Sequence, residues 1–408
     1  MTNPLLHLAV ALDGAGWHPA AWREPDAQPD RLFTAAYWVG LAQQAERGLL
    51  DFITIEDGLD LQSDDRFGGD ERTDRVRGRL DAVLIAARIA PVTRHIGLVP
   101  TAVTTHTEPF HLSKAIATLD YVSGGRAGVR VQIAGRPDTA AHFGRREIPR
   151  LSTDRFAQPE VQRLVAAHFD EANDYVEVVR RLWDSWEDDA EIRDVATGRF
   201  VDRDKLHYID FEGRWFSVKG PSVTPRPPQG QPVVAALGHA TIPYGLIARS
   251  ADIGFVTPRD RSHAAEIVAE VRGEEARAGR SGVHVFGDVV VFLDDSPVTA
   301  RARRERLDEL AGPDFASTGY SSDAHIFAGT PAQLVDLLLD WREAGLTGFR
   351  LRPAALPHDL AQIASGVVPE LQRRGAFRAG YPDSGWPATL RGLLGRSRPA
   401  NRYRSSAA

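Results

Sequence analysis

Thirteen histidines and no cysteine set the terms for any chemistry in this chain. Without thiols there are no disulfides, thiolate metal ligands or cysteine nucleophiles, so proton transfer and charge stabilisation fall to His, Asp, Glu and Arg. His18 stands in Trp17-His18-Pro19-Ala20-Ala21-Trp22-Arg23. An imidazole titrates near neutrality and could donate a proton to a substrate oxygen, or it could be an exposed loop histidine. His106 and His325 are candidates of the same kind. Gly238 precedes a helical stretch whose free backbone N–H groups would favour a phosphate, although a glycine there could serve only to turn strand into helix. Arg130 alternates with Val129 and Val131, so it points either into a barrel or toward surrounding helices, and a buried guanidinium needs a partner such as Asp57. The carboxylates of Asp57, Asp60, Asp64, Asp65, Asp70, Glu71 and Asp74 lack ligand spacing and are interleaved with arginines. That pattern reads as a solvated loop, and no metal is expected.

The elements that must position these residues repeat. A short apolar run, rich in β-branched residues, alternates with a longer helical stretch roughly eight times, which is the form taken by βα units around a parallel sheet. Strands are expected at Leu5–Leu12, Asp51–Glu56, His95–Pro100, Arg126–Ile133, Pro232–Ala236, Asp252–Val256, Val283–Leu293 and Thr347–Leu351. Helices are expected between them, including Leu32–Arg47, Leu80–Ala90, Pro109–Val122, Phe169–Trp186, Ile242–Ser250, Ala264–Ala278 and Leu334–Ala344, with a last one at Pro357–Arg373. Eight such units close into a (β/α)₈ TIM barrel, an α/β fold; a doubly wound open sheet is the runner-up. The barrel is expected over residues 1–375, with insertions at 57–79, 134–167 and 187–231 and a tail at 376–408. The first two insertions follow strands and so lie on the C-terminal face, where barrel active sites sit.

Composition narrows the class. With 408 residues, 43% hydrophobic, the chain can bury a large core. A net charge of −6 argues against nucleic acid as a partner. No stretch reaches bilayer-spanning length, and Leu5–Leu12 lacks a basic leader, so a cytoplasmic protein that does not engage membranes is expected.

Several stretches resemble one family. Glu108-Pro109-Phe110 and Leu119-Asp120-Tyr121-Val122-Ser123-Gly124-Gly125-Arg126 resemble the nitrilotriacetate and dibenzothiophene-sulfone monooxygenase branch of the luciferase-like flavoproteins. Glu46-Arg47-Gly48, Thr93-Arg94-His95-Ile96-Gly97-Leu98, Leu182-Trp183-Asp184-Ser185-Trp186 and the tail from Val368 to Tyr403 agree with it. The resemblance implies a two-component monooxygenase that takes reduced FMN from a separate flavin reductase, binds it at the barrel mouth and uses molecular oxygen on a small organic substrate. A homo-oligomer is the usual expectation for such proteins.

Carried over position by position, Asp57, Thr101 and Thr104 match residues that line the isoalloxazine. Other positions depart. Arg130 replaces an expected amide contact, where it could meet a flavin oxygen. His142-Phe143-Gly144 stands for Asn-Phe-Gly, His168-Phe169 for Arg-Tyr, and Leu237-Gly238-His239-Ala240 for the phosphate-binding Ala-Gly-x-Ser. Either His168, His239, Thr241 and nearby arginines hold the phosphate instead, or the chain binds flavin weakly, binds another flavin or has lost the activity. The alternatives are a deazaflavin-dependent oxidoreductase on the same fold and a flavin-free barrel acting as a binding protein.

Overall fold

The computed structural model describes residues 4–65 and 67–404, which leaves the first three residues, Arg66 of the expected first insertion and the last four residues of the expected tail outside the described part. Eight parallel strands form the expected barrel: β1 (His7–Leu12), β2 (Phe52–Ile55), β3 (Gly97–Val103), β4 (Gly128–Gln132), β5 (Val233–Gly238), β6 (Ile253–Val256), β7 (His284–Leu293) and β8 (Gly348–Pro353). They run in the order β6-β5-β4-β3-β2-β1-β8-β7, and the pairing of β6 with β7 closes the ring. A ninth strand, His325–Gly329, extends the sheet by pairing with the C-terminal half of β7.

Helices cover the barrel: α1 (Ala35–Arg47), α2 (Ala82–Ile89), α3 (Pro109–Ser123), α4 (Pro159–Asp184), α5 (Thr241–Ser250), α6 (Arg261–Arg277), α7 (Pro297–Ala311) and α8 (Pro331–Arg342). Their starts follow local chemistry. The Thr34, Asp81 and Asp260 side chains accept the backbone N–H of the third residue of α1, α2 and α6, and α7 and α8 open with capping boxes at Ser296 and Thr330. Two readings from sequence need correction. The helix expected from Phe169 begins ten residues earlier, where Pro159 supplies the fixed φ of a first turn. The expected final helix is interrupted by a π-helical turn at Ile363–Val367 and resumes at Val368, next to Pro369, whose missing N–H leaves a gap in the ladder.

Outward-facing side chains of the strands, among them Leu8, Val10, Ile53, Val129, Val289 and Leu351, join the helices in one continuous core. Inside the barrel, Ala9, Phe52, Val99, Val233, Ala235, Ile253, Phe255 and Phe286 pack as an apolar floor, and Leu390 and Leu394 of the tail plug it from below. A Cβ at Gly97 would lie 2.6 Å from Leu390 Cδ1, so only glycine leaves room for the plug. Buried Asp252 accepts from Arg180, Arg391 and the Val234 N–H; burial opposes its charge, but the arginines hold the carboxyl far below the usual range. Asn401 and the Arg226 bond to Pro399 O fasten the rest of the tail.

Motifs that carried the resemblance work as pins. Glu46 Oε1 accepts the N–H groups of Arg94, His95 and Ile96, tying α1 to the approach of β3. Asp120 accepts the Ala127 N–H and two donors of Gln229, tying α3 to β4 and to the end of the third insertion.

The first two insertions pack on each other over the C-terminal face. Thr139 donates to Asp60, the Gly69 N–H to Asp138 and Arg150 to Asp65. The third insertion carries two short hairpins, Glu191–Asp194 with Arg199–Val201 and Phe211–Glu212 with Ser217–Val218.

Leu390→Ala should leave a cavity in the barrel floor and cost about 2–5 kcal/mol. Chemical denaturation midpoints of the variant and the parent check this; a loss under about 1 kcal/mol would mean the plug is not part of the core.

Candidate active site

Above the apolar floor the barrel interior turns polar. Strand alternation points Glu56, Arg130, Asp288, Arg350 and Arg352 inward, and all five are buried. Arg130 pairs with Glu56, one residue before the partner expected from sequence, and donates to Thr101 Oγ1 at 3.0 Å and Gln132 Oε1 at 2.8 Å. Arg350 reaches Glu56 and Thr54, each at 3.3 Å, grips Asp288 with a second edge, and lies 4.0 Å over the Phe255 ring. Arg352 shares Asp288 and continues to Asp323 at 2.6 Å. Burial opposes charge on Asp288, but Arg350 and Arg352 outweigh it and keep the carboxyl below its usual range. The result is a continuous ion network crossing the barrel from β4 to β8.

The three positions matched to isoalloxazine contacts sit around this network. Asp57 caps β2: its carboxylate accepts the N–H groups of Gly58 and Ala82, while burial raises its pKa. Thr101 pairs in register with Arg130, and the Thr104 hydroxyl donates to Gln132 O.

The histidines separate into two groups. After β3, His106 is buried and stacks on Phe143 at 5.2 Å; burial, then the nearby Arg146, lowers its pKa. His168, on α4, faces Glu171 at 3.9 Å, and Glu171 is itself held by both terminal nitrogens of Arg146. The Nε2 atoms of His106 and His168 are buried and have no hydrogen-bond partner among the described residues. His142 is exposed on the short helix Pro137–Phe143.

At the end of β5, a Cβ on Gly238 would meet Tyr244, Ile247 and Pro243 within 3.2 Å, so strand-to-helix packing alone requires a glycine. His239 and Ala240 are exposed, and Ala240 leaves the start of α5 without a side-chain cap. His239 contacts Thr257 at 2.9 Å and Asp323 at 3.5 Å, and Thr241 donates to Glu270. An outer cleft of about 400 Å³ runs beside Thr241 and Ile242, between α4 and α6.

His18 is 1% exposed and lies 4.9 Å from the Tyr320 ring. The Ala20 N–H donates to its Nδ1, so the proton sits on Nε2 and goes to Asp308 at 3.1 Å. Donation toward a substrate would require breaking that pair. Burial, partly offset by Asp308, lowers the His18 pKa to about 4.

Sequence reasoning passed over Glu56, Asp288, Arg350, Arg352 and Asp323. The signal for two of them was present: in Gly348-Phe349-Arg350-Leu351-Arg352-Pro353, charges alternate with apolar residues on a strand that must be covered outside, which sends the arginines inward.

A histidine kept neutral by burial binds fewer protons folded than unfolded. Its contribution to stability is therefore complete above about pH 6.5 and is lost as the pH falls toward 4. The melting temperature should fall through that window, and His18→Gln should make the fall shallower; an unchanged slope would show that His18 is readily protonated in the fold.

The family model for luciferase-like monooxygenases matches residues 15–348. The chain is 30% identical to N-acetyl-S-(2-succino)cysteine monooxygenase of Bacillus subtilis (strain 168), over 98% of both chains. It is 31% identical to nitrilotriacetate monooxygenase component A of Aminobacter aminovorans, again over 98% of each. A crystal structure of riboflavin lyase with modified FMN and riboflavin, 25% identical, superposes with a TM-score of 0.82 over 98% of this chain and 97% of that one. Likeness of that breadth, on a barrel whose polar residues gather at the mouth, makes the chain a member of the luciferase-like monooxygenase family and a flavin-dependent monooxygenase.

Proposed function

We propose that the chain is the oxygenase component of a two-component system that receives reduced FMN from a separate reductase and acts with molecular oxygen on a small organic acid. The observation that carries the cofactor reading is the pair of unpartnered, buried Nε2 atoms on His106 and His168 beside Arg146. Buried polar atoms are nearly always satisfied, so two orphans together fit an acceptor that the protein chain does not supply. A phosphate offers such acceptors, and the uncapped start of α5 would add backbone donors. These groups stand in for the arginine, tyrosine and serine that the related motifs would place there.

Reduced FMN, when bound, supplies the electrons with which oxygen is split between the substrate and water. The chain's own residues would bind and orient. Asp57, Thr101, Thr104 and Arg130 form the rim against which the ring would lie, and the paired state of Arg130 keeps that rim close to neutral. The two insertions over the C-terminal face would keep water out. His18 would act by holding the Trp17–Arg23 loop against α7 through Asp308. The relatives at 30% and 31% identity over 98% of this chain are named for substrates that are carboxylic acids, which supports an acidic substrate here, whereas one at 29% is named for the neutral dibenzothiophene sulfone.

The phosphate assignment is tested by fluorescence titration with FMN and riboflavin, which share the ring and differ in the phosphate. Wild type should bind FMN at least about tenfold tighter, and His168→Ala and His106→Ala should each collapse that ratio while riboflavin binding stays put. Equal affinity for the two flavins in the wild type would remove the phosphate site from this reading.

A further inference from the structure

Five of the six charges in the barrel network are sealed from solvent and the sixth is not. The side chains of Glu56, Arg130, Asp288, Arg350 and Arg352 are at most 9% exposed, whereas that of Asp323 is 41% exposed. Asp323 also lies off the barrel, between the short helix Pro313–Thr318 and the strand His325–Gly329. The segment leaves α7 through Gly312 (φ +114°) and turns again at Gly319 (φ +74°), backbone states that suit glycine alone.

Around the Asp323 carboxylate the donors converge. Arg352 reaches it at 2.6 and 3.2 Å, Ser322 Oγ at 3.1 Å and His239 Nε2 at 3.5 Å. The Arg352 guanidinium lies 4.5 Å over the indole of Trp17, whose Nε1 is buried without an acceptor among the described residues. Behind this lip, Arg352 keeps only a share of Asp288, which Arg350 also holds.

We propose that Asp323 occupies the binding place of a substrate carboxylate. An organic acid entering the mouth would displace Asp323 from Arg352, take the His239 contact, and find in Trp17 Nε1 a further donor, while the segment around Asp323 swings outward. The charge balance selects for this class. Three arginines face three carboxylates, so exchanging Asp323 for another carboxylate leaves the buried network neutral. A neutral substrate would strand Arg352 short of a counter-charge, which is strongly unfavourable in a desolvated site. A phosphate dianion holds its charge on one group and would overshoot by up to one charge, whereas a dicarboxylate can place one carboxylate on Arg352 and leave the other in solvent.

This inference rests on the mouth being the substrate site of the enzyme proposed above, but it does not depend on flavin, so its test uses flavin-free protein. Hydrogen–deuterium exchange is followed in full-length wild type at high concentrations of succinate, succinamide or inorganic phosphate, and succinate affinity is measured by calorimetry for wild type, Asp323→Ala and Asp323→Asn. Succinate should speed exchange at residues 319–324, and succinamide and phosphate should not. The two variants, freed of the internal competitor, should bind succinate about tenfold tighter than wild type. Unchanged exchange at 319–324, or variants that bind succinate no better than wild type, would overturn the proposal and leave Asp323 a structural ion pair. A response to phosphate that matched or exceeded the response to succinate would overturn the choice of a carboxylate.

Discussion

Three guanidiniums inside one barrel can stay charged only if each finds a carboxylate without help from water, and the upper half of this molecule is organised around that requirement. Arg130, Arg350 and Arg352 meet Glu56, Asp288 and Asp323 in a chain of contacts that begins on β4 and crosses β2, β8 and β7 before reaching the lip. Removing any buried member would leave a charge uncompensated, at a cost of about 3–5 kcal/mol for a pair of this kind. The network therefore fixes the register of the strands that carry it as firmly as the apolar floor beneath it does. It also gives the mouth a polar, charge-balanced surface that solvent reaches chiefly at Asp323.

The division of the barrel interior follows from this. Below the network, Phe52, Phe255 and Phe286 fill the floor, and Leu390 and Leu394 stop it. Above it, Asp57, Thr104, Gln132 and His106 rim the opening, and the insertions after β2 and β4 interlock over it through Asp60, Asp65 and Asp138. Chemistry can vary at the rim because stability is held elsewhere: at the tail plug, at Asp252, and at the pins made by Glu46 and Asp120. That separation accounts for the departures seen at residues 130, 168 and 239 in a chain that keeps the family's fold along its length.

The barrel was legible in the sequence because each strand is a short β-rich run followed by a helix, several of which open on a side-chain cap or a first-turn proline, and local rules are enough to read those. The pins and the plug were visible only as resemblance, since nothing local in Glu46 or Leu390 says that three N–H groups or two glycines wait across the barrel. Helix α7 and the strand after it were passed over, because a stretch this charged, from Pro297 to Ala311, shows little apolar periodicity and buries few residues. At the site, the alternation around Arg130 implies a buried charge in need of a partner, but Glu56 rather than Asp57 supplies it, since strand alternation turns residue 56 inward. His18 had the right loop, while its long-range partner Asp308, 290 residues away, could not be read from spacing.

The central claim is that the neutralised arginine network is the floor of a flavin site at the C-terminal mouth. The most direct measurement is a crystal structure of the protein grown anaerobically with reduced FMN. The account places the ring over Glu56 and Arg130 and the phosphate between His168 and the start of α5. A flavin lodged instead in the outer cleft beside Ala166 and Arg249, or a mouth left empty at saturating reduced FMN, would contradict it.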